Sequence, residues 1–198
     1  MNKLLEDIKR YIPYNEQEKV DREVIIDLIN KNNDILNRSS KDYHLTASSW
    51  IVNETFDKIL LIYHNLYDSW SWTGGHADGD SNLLNVAIKE AKEETGITNI
   101  YPLSKDIYSL EILAVDGHIK KNEYVNSHLH LNITYLLCAS SNDELKIKPD
   151  ENSNVSWFNI DEVVDKSSEK WFREHIYSKL NEKLKEYIKG KKWKKNIK

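Results

Sequence analysis

Three carboxylate side chains crowd into the last turns of one short segment of the sequence. Glu90, Glu93 and Glu94 stand directly before Gly96, at the end of a stretch with a helical composition. Glu90 lies three and four positions before the other two, so each pair repels by about a few tenths of a kcal/mol. The helix dipole also favours cations at this end. The cluster indicates a bound counter-ion, and oxygen ligands without a thiolate favour Mg²⁺ or Mn²⁺ and phosphate chemistry.

The helix that would carry these acids has one apolar face. At about 100° per residue, the three glutamates project from the border of this face, where the helix meets a sheet. An ordinary solvated face of lysines and glutamates is the alternative interpretation. The glycines at both ends of the segment favour the metal site. The apolar face consists of Leu83, Leu84, Ala87, Ile88 and Ala91.

The spacing of glycines and glutamates in this segment resembles the Nudix box. The family pattern is Gly, five residues, Glu, seven residues, Arg-Glu, an aliphatic residue, any residue, Glu-Glu, any residue, Gly and an aliphatic residue. The resemblance is closest to members whose box opens Gly-Gly-His-x-Asp-Gly-Asp, and it extends from about His44 to Val164. Ser81 stands where the pattern has its first Glu, and Lys89 stands for the Arg. The positions that satisfy the pattern are Gly75, Glu90, Ala91, Glu93, Glu94, Gly96 and Ile97.

The resemblance implies an α/β fold, namely a Nudix-like α/β/α sandwich with a mixed sheet. It also implies Mg²⁺- or Mn²⁺-dependent hydrolysis of a nucleoside diphosphate linked to another moiety. By position, Glu90, Glu93 and Glu94 are the expected metal ligands, with the Gly75 carbonyl as a fourth. Such metal ions neutralise the diphosphate and polarise its P–O bonds before water attacks phosphorus.

Two catalytic roles are expected from residues in and after the box. Glu93 and the loop residue Glu151 are alternative general bases for the attacking water, although loops often expose acids that do no chemistry. Lys89 keeps the positive charge of the family's Arg but lacks the planar fork that orients a carboxylate. Asp78 and Asp80 are candidates for the carboxylate that Ser81 does not supply.

Three histidines are candidates for contact with the bound substrate. His128 and His130 share one face of a predicted strand, and His76 adjoins the box glycine, so each could touch phosphate or orient a metal-bound water. Histidines packed and hydrogen-bonded beneath a helix are the alternative. Trp70 and Trp72 could stack on a base, although core packing is the commoner use of such residues. The single cysteine, Cys138, is expected to be a small buried apolar residue.

Periodicity predicts the elements that must position these residues. A helix at Leu4–Tyr11 and a second one that begins near Asn15, with Glu18 in a capping-box position, form an N-terminal helical pair. β-Rich runs follow at 47–52, 58–64, 108–115 and 128–139, with a charged loop at 120–123 and a short strand at 154–158. Apolar residues recurring every four positions from Phe172 predict a long C-terminal helix.

The sequence indicates one domain over residues 1–198. Its parts are an N-terminal helical extension at 1–40, a core at 44–165 with the box at 75–97, a C-terminal helix at 168–190 and a basic tail at 191–198. The net charge of −4 includes six lysines in the last ten residues, so the body is acidic and is not expected to bind nucleic acid. No apolar run reaches the ~18 residues of a membrane span. One cysteine excludes an internal disulfide, which favours a cytoplasmic protein.

Three other functions fit parts of the sequence. A calcium loop could begin at Asp78, but its sixth and twelfth positions hold Leu83 and Lys89 instead of Gly and Glu. A Nudix-fold domain that binds or senses phosphorylated metabolites without turnover fits the departures at Ser81 and Lys89. A diphosphate isomerase needs an active-site cysteine, and Cys138 lies in no matching motif.

Hydrolysis is the leading hypothesis. The substrate is left open, with the loops at 101–107 and 117–126 expected to select it, and the protein is expected to be a monomer or homodimer.

Overall fold

The computed structural model describes residues 1–120 and 122–195, and the chain in it forms two compact units. The first unit contains Met1–Ser49, Thr73–Ala91 and Pro102–Leu137. The second contains Trp50–Trp72, Lys92–Tyr101 and the described chain from Cys138 onward. The single domain expected from the sequence stays a prediction, as do its internal boundaries. Lys121, part of the predicted charged loop, and residues 196–198 of the predicted basic tail lie outside the described residues.

Two helices open the chain, and two runs of strands follow, separated by a single helix. A 3₁₀ turn at Val163–Lys166 and a π-helical turn at Phe172–Tyr177 precede the last helix. In chain order the remaining elements are α1 (Asn2–Arg10), α2 (Glu16–Lys31), β1 (Tyr43–Asn53), β2 (Lys58–His64), β3 (Ser69–Ser71), β4 (Thr73–His76), α3 (Leu83–Thr95), β5 (Ile100–Pro102), β6 (Ser109–Val115), β7 (His118–Lys120), β8 (Glu123–Val125), β9 (His128–Ala139), β10 (Asn152–Asn159) and α4 (Ser178–Lys195).

The first unit begins with the predicted helical pair. The Asn15 side chain accepts a hydrogen bond of 2.9 Å from the backbone N–H of Glu18, which caps α2 as the sequence predicts. Ile8 and Ile25 are fully buried, and Asp21 accepts a 3.1 Å hydrogen bond from the backbone N–H of Ile112 in β6. The pair is therefore packed into the first unit.

Antiparallel strands complete the first unit. β4 pairs with the first half of β1 from Thr46 opposite His76 to Ser49 opposite Thr73. β6 pairs with β9 over its whole length. Both faces of β9 are buried from Leu131 onward, whereas the alternation of apolar and polar residues in its sequence would leave one face exposed to solvent.

A small hairpin stands where the sequence indicates a charged loop. β7 pairs antiparallel with β8, from His118 opposite Val125 to Lys120 opposite Glu123. Asn122 has a φ of 66°, a left-handed conformation that Asn adopts more easily than most residues. Part of the predicted specificity loop is therefore regular β structure.

The second unit contains the strand order β10–β2–β1, with β3 also paired to β2. All of these pairs are antiparallel, with Ile51 opposite Leu60 and Val155 opposite Ile62. The register of β10 shifts between Asn152 and Asn154, which marks a bulge at the start of that strand.

The C-terminal helical region packs through aromatic residues. Trp50 stacks on Tyr177 with ring centroids 5.7 Å apart, and Ile176, Leu180 and Leu184 are fully buried. The prediction of one regular helix from 168 to 190 differs from the structure. The region starts as a π-helical turn, in which the backbone N–H and the hydroxyl of Ser178 both donate to the carbonyl of Arg173, five residues earlier.

The predicted α/β class is confirmed, with a mixed sheet, an N-terminal helical pair and a C-terminal helix. Within residues 1–120 and 122–195, none of the helices combines the length and the apolar character that a bilayer span needs.

Candidate functional site

Helix α3 carries all three glutamates of the predicted metal site. It buries Leu83, Ala87 and Ala91 of the predicted apolar face and also Val86, whereas Leu84 and Ile88 of that face are only half-buried. Its last turn ends at Gly96, whose φ of +74° favours glycine and whose N–H donates to the Lys92 carbonyl at 2.9 Å. The sequence thus predicts both the helix and its end.

The three glutamates differ in their exposure to water. The Glu90 side chain is 14% exposed, Glu94 is 3% exposed as a residue, and the Glu93 side chain is 42% exposed. Two of the acids are therefore largely withdrawn from solvent, as expected at the border of an apolar face. Glu93 keeps access to water, which a general base requires.

Gly75 lies directly against the carboxyl group of Glu90. A Cβ atom added at Gly75 would stand 2.5 Å from Glu90 Cδ and 2.8 Å from its Oε1. The φ angle of Gly75 is not positive, so the space and not the backbone conformation excludes a side chain. This contact brings one of the predicted ligands beside the backbone of another.

The segment from the end of β9 to the start of β10 is fastened to the end of α3. Asn152 Nδ2 donates to the Glu94 carbonyl at 2.9 Å, and the backbone N–H of Lys146 donates to the Thr95 carbonyl at 2.8 Å. These bonds satisfy carbonyls that the end of the helix leaves without an intrahelical partner. The loop that contains Glu151 is therefore held against the helix that contains Glu93.

Lys148 links the two candidates for the general base. Its Nζ lies 2.9 Å from Glu151 Oε2 and 3.7 Å from Glu93 Oε2. The structure thus brings Glu93 and Glu151 to one ammonium group. Sequence reasoning missed Lys148, because only the fold shows which of the chain's many lysines faces both acids.

Lys89 and the two candidates for the missing carboxylate, Asp78 and Asp80, each contact another polar group. Lys89 is 66% exposed, with its Nζ 3.8 Å from Glu90 Oε1, so it keeps a positive charge near one of the predicted metal ligands. Arg38 Nε donates to Asp78 at 2.8 Å, and this bond lowers the pKa of the Asp78 carboxyl below its usual range. Asp80 accepts a 2.8 Å bond from the backbone of Asn82. That either aspartate replaces the carboxylate absent at Ser81 stays a prediction.

The three predicted histidines lie together, and a fourth joins them. His44 packs against His76, His128 and His130 with ring centroids 4.9 to 5.0 Å apart. Burial and then the neighbouring imidazoles lower the pKa of His130 to about 2, and burial is also the main cause that lowers the pKa of His44. Contact of these histidines with phosphate stays a prediction. Sequence reasoning missed His44, which no motif marks.

The aromatic and cysteine candidates lie in packed surroundings. Trp70 makes edge-to-face contacts with Tyr63 and Phe158. Trp72 is buried with its ring near Tyr177, and Cys138 is fully buried with a free thiol. Cys138 fits the small apolar role expected of it.

Comparisons with known proteins agree on one family. The family model described as the NUDIX domain matches residues 42–180. The m7GpppN-mRNA hydrolase of Saccharomyces cerevisiae is 26% identical over 129 residues, which is 62% of this chain but only 12% of that protein. A probable DHNTP pyrophosphohydrolase of Lactococcus lactis is 27% identical over 135 residues, covering 68% of this chain and 76% of the relative.

A solved structure shows the same fold. The crystal structure of a C. elegans Ap4A hydrolase binary complex aligns with a TM-score of 0.52 at 19% identity, covering 74% of this chain and 98% of that chain. At this identity the likeness concerns the fold alone. Since the family model covers well over half of the 198 residues, the chain belongs to the NUDIX family.

Proposed function

We propose that this protein is a Mg²⁺- or Mn²⁺-dependent hydrolase that cleaves the diphosphate linkage of a nucleoside diphosphate joined to another moiety. The observation that carries the proposal is the placement of Glu90, Glu93 and Glu94 on α3, with two of the three acids withdrawn from water. Carboxylates in such a place favour a cation nearby. Membership of the NUDIX family supports the same chemistry.

The donor atoms on α3 fit a hard divalent cation. Nudix hydrolases generally use a divalent metal. Here the three carboxylates, together with the Gly75 carbonyl, would hold it through oxygen atoms alone, as Mg²⁺ and Mn²⁺ prefer. The close approach of Glu90 to Gly75 fits this set. When bound, such a cation neutralises the charge of the diphosphate and polarises its P–O bonds.

The chain's own residues supply the proton chemistry. Glu93 or Glu151 takes the proton of the attacking water, and Lys148, within ion-pair distance of both, orients the pair. The electron pair of the broken P–O bond goes to the leaving phosphate oxygen. Lys89 approaches Glu90 and keeps a positive charge near that carboxylate. General-base catalysis of this kind contributes about 10²–10⁴-fold to the rate.

Substrates of the relatives define the compounds to test first. The relatives' names specify a DHNTP pyrophosphohydrolase, an Ap4A hydrolase and an m7GpppN-mRNA hydrolase. Each of these substrates contains a phosphoanhydride bond. A small diphosphate compound is the proposed substrate class, with a cytoplasmic location and a monomer or homodimer as parts of the same proposal.

A binding or sensing domain without turnover is the second candidate. Lys89 Nζ stands 3.8 Å from Glu90 and is mostly exposed, so it holds the carboxylate more loosely than a bidentate arginine would. A loosely held ligand would weaken catalysis more than it weakens substrate binding.

Product analysis by ³¹P NMR separates the two functions. The panel contains nucleotide sugars, dinucleoside polyphosphates, alcohols linked to nucleoside diphosphates and nucleoside triphosphates, each with Mg²⁺. Glu93→Gln and Glu151→Gln are compared with Glu182→Gln, an exposed glutamate of α4, as the matched control. We expect turnover of at least one compound, lost by about 10²–10⁴-fold in the variant that removes the base and unchanged in the control. Metal-dependent binding without product across the panel would favour the sensing domain.

A further inference from the structure

Four imidazoles meet in the first unit, and none of them belongs to the set of carboxylates on which the proposed hydrolysis depends. His44 comes from the start of β1, His76 from the end of β4, and His128 and His130 from β9. Nitrogen atoms of His44, His76 and His130 all lie within 4.8 Å of one another. Three strands thus aim their imidazoles at one point.

The His44 ring presents a buried nitrogen to this cluster without a hydrogen-bond partner. His44 is 4% exposed, and its Nε2 contacts no hydrogen-bonding atom among the described residues. Its Nδ1 lies 3.0 Å from the Ser40 carbonyl. Because a carbonyl oxygen can only accept, Nδ1 carries the proton and Nε2 of the neutral ring carries the lone pair. A buried lone pair without a donor is the kind of group that a ligand satisfies.

The surroundings of the cluster are those of metal-binding histidines. Such residues usually donate their second ring nitrogen to a carbonyl or carboxylate, which fixes the tautomer and the ring orientation. His44 meets this condition through Ser40, and His128 meets it through the Asn126 carbonyl at 2.8 Å from its Nδ1. His128 Nε2 lies 3.1 Å from His130 Nε2, which places a fourth ring nitrogen beside the three.

We propose that His44, His76 and His130 bind one divalent transition-metal ion, with Zn²⁺ as the reference ion, at a site distinct from the carboxylates of α3. Imidazole nitrogen suits Zn²⁺, Cu²⁺ or Ni²⁺, whereas Mg²⁺ prefers oxygen. Three protein ligands leave a fourth position for water, for a substrate oxygen or for His128.

Distance and charge both allow such an ion. Zn–N bonds of about 2.0–2.1 Å in a tetrahedral site place ligand nitrogens about 3.3 Å apart. The nitrogens of the three histidines are at most 4.8 Å apart, so ring rotations that bring them about 1.5 Å closer would reach this spacing. Arg38 is the nearby cation that acts on His44, and its guanidinium is paired to Asp78 at 2.8 Å, so its charge is compensated.

Long-range ¹H–¹⁵N NMR of the imidazole rings tests the site in the wild-type protein. Mg²⁺ is kept in large excess to occupy the carboxylates, and Zn²⁺ is then added to one equivalent. We expect the ring nitrogens of His44, His76 and His130 to shift, while those of His64 and His175 stay unchanged. Unchanged resonances of the three cluster histidines at one equivalent of Zn²⁺ would overturn the proposal.

Calorimetric titration with Zn²⁺ assigns the ligands. Loss of an outer-shell partner of a metal ligand weakens binding about 10–100-fold, so loss of a ligand in His44→Gln is expected to cost about 100-fold or more. His64→Gln is the matched control on a histidine outside the cluster, and Glu93→Gln removes a carboxylate of α3 instead. Both are expected to keep wild-type Zn²⁺ affinity.

Two results of the titration contradict the site. One is wild-type affinity in His44→Gln, and the other is loss of the Zn²⁺ site in Glu93→Gln, which would assign the ion to the carboxylates. Circular dichroism melting reports whether His44→Gln folds. If it does not, the NMR titration of the wild-type protein decides alone.

Discussion

A methyl group added at Gly75 should impair catalysis while leaving the fold nearly intact. In Gly75→Ala the new Cβ would stand 2.5 Å from Glu90 Cδ, a distance that real Cβ contacts essentially never show. The obstacle is the far end of a flexible side chain, so Glu90 can rotate away. Its carboxyl carbon must move by about 1 Å to reach ordinary contact distance. The proposed function makes that carboxylate a metal ligand, so the displacement should lower catalytic activity.

The size of the effect follows from this displacement. A misplacement of about 1 Å in a catalytic arrangement can cost about 100-fold in rate, which corresponds to about 2.7 kcal/mol of transition-state stabilisation. Driving the Glu90 side chain from its rotamer costs stability by only about 1 kcal/mol. For a chain of this length that loss lowers Tm by about 2–4 °C. Activity and stability should therefore separate clearly.

Two other glycines provide controls of opposite kinds. At Gly74 a Cβ would meet the Ala47 carbonyl oxygen at 2.8 Å and Ser48 Oγ at 2.5 Å, so Gly74→Ala strains the backbone and should lower Tm more than Gly75→Ala does. At Gly190 nothing lies within 4 Å, so Gly190→Ala in α4 should keep wild-type activity and gain about 0.8–1 kcal/mol of helix stability.

The assay is kcat/KM for whichever panel compound the wild type hydrolyses, with Tm measured on the same preparations. Mn²⁺ affinity by electron paramagnetic resonance adds a readout that needs no substrate. Retention of wild-type kcat/KM and Mn²⁺ affinity within twofold in a folded Gly75→Ala protein would refute the role of Glu90. A loss of activity that merely follows unfolding would refute the separation of the two effects.

Three further predictions concern stability. Gly96→Ala should cost about 2 kcal/mol in a urea titration, because Gly96 has a φ of +74° and a Cβ there would meet Lys146 backbone nitrogen at 2.9 Å; an unchanged midpoint would contradict this. Asp143 accepts backbone N–H bonds that lower its pKa, so its ionised form stabilises the folded protein above the unfolded pKa of about 3.9, and this stabilisation is lost as pH falls through the folded pKa. The free energies of unfolding of wild type and Asp143→Asn should therefore differ at pH 7 and converge in acid, and a difference that is independent of pH would refute the assignment. Glu18 is fully buried and accepts from Ser109 Oγ at 2.7 Å, so Glu18→Ala should lose about 1–3 kcal/mol per buried donor left unpaired, measured by thermal melting.

Local patterns predicted the part of the site that lies on one element. Helix α3 follows from a period of 3.6 residues and a terminal glycine, and both signals lie within a few residues of the acids that they position. Gly75 and Glu90 are fifteen positions apart, yet the family spacing already pairs them, and the structure shows the contact. These features depend on short-range geometry, which the order of residues specifies directly.

The partners of these acids depend on chain segments that only folding brings close. Lys148 and Asn152, which lie before and at the start of β10, approach α3 from more than fifty residues later in the sequence. The chain has 28 basic residues, and nothing in their local sequence distinguishes Lys148 from the others. The π-helical turn at Phe172–Tyr177 was also missed, because the apolar spacing that marks a regular helix tolerates one extra residue per turn.

His44 shows how the pairing register of two strands can create a site that no sequence motif predicts. A strand presents alternate residues to one face, so His128 and His130 share a face in any sheet that includes β9. His76 joins them only if β4 lies beside β1 with Thr46 opposite His76, and this register sets His44, two residues before Thr46, on the same face of β1. A shift of one residue would turn the ring to the opposite face and leave its neighbours without it. The Zn²⁺ titration of His44→Gln therefore tests the strand register together with the metal site, since a ring on the other face could not be a ligand.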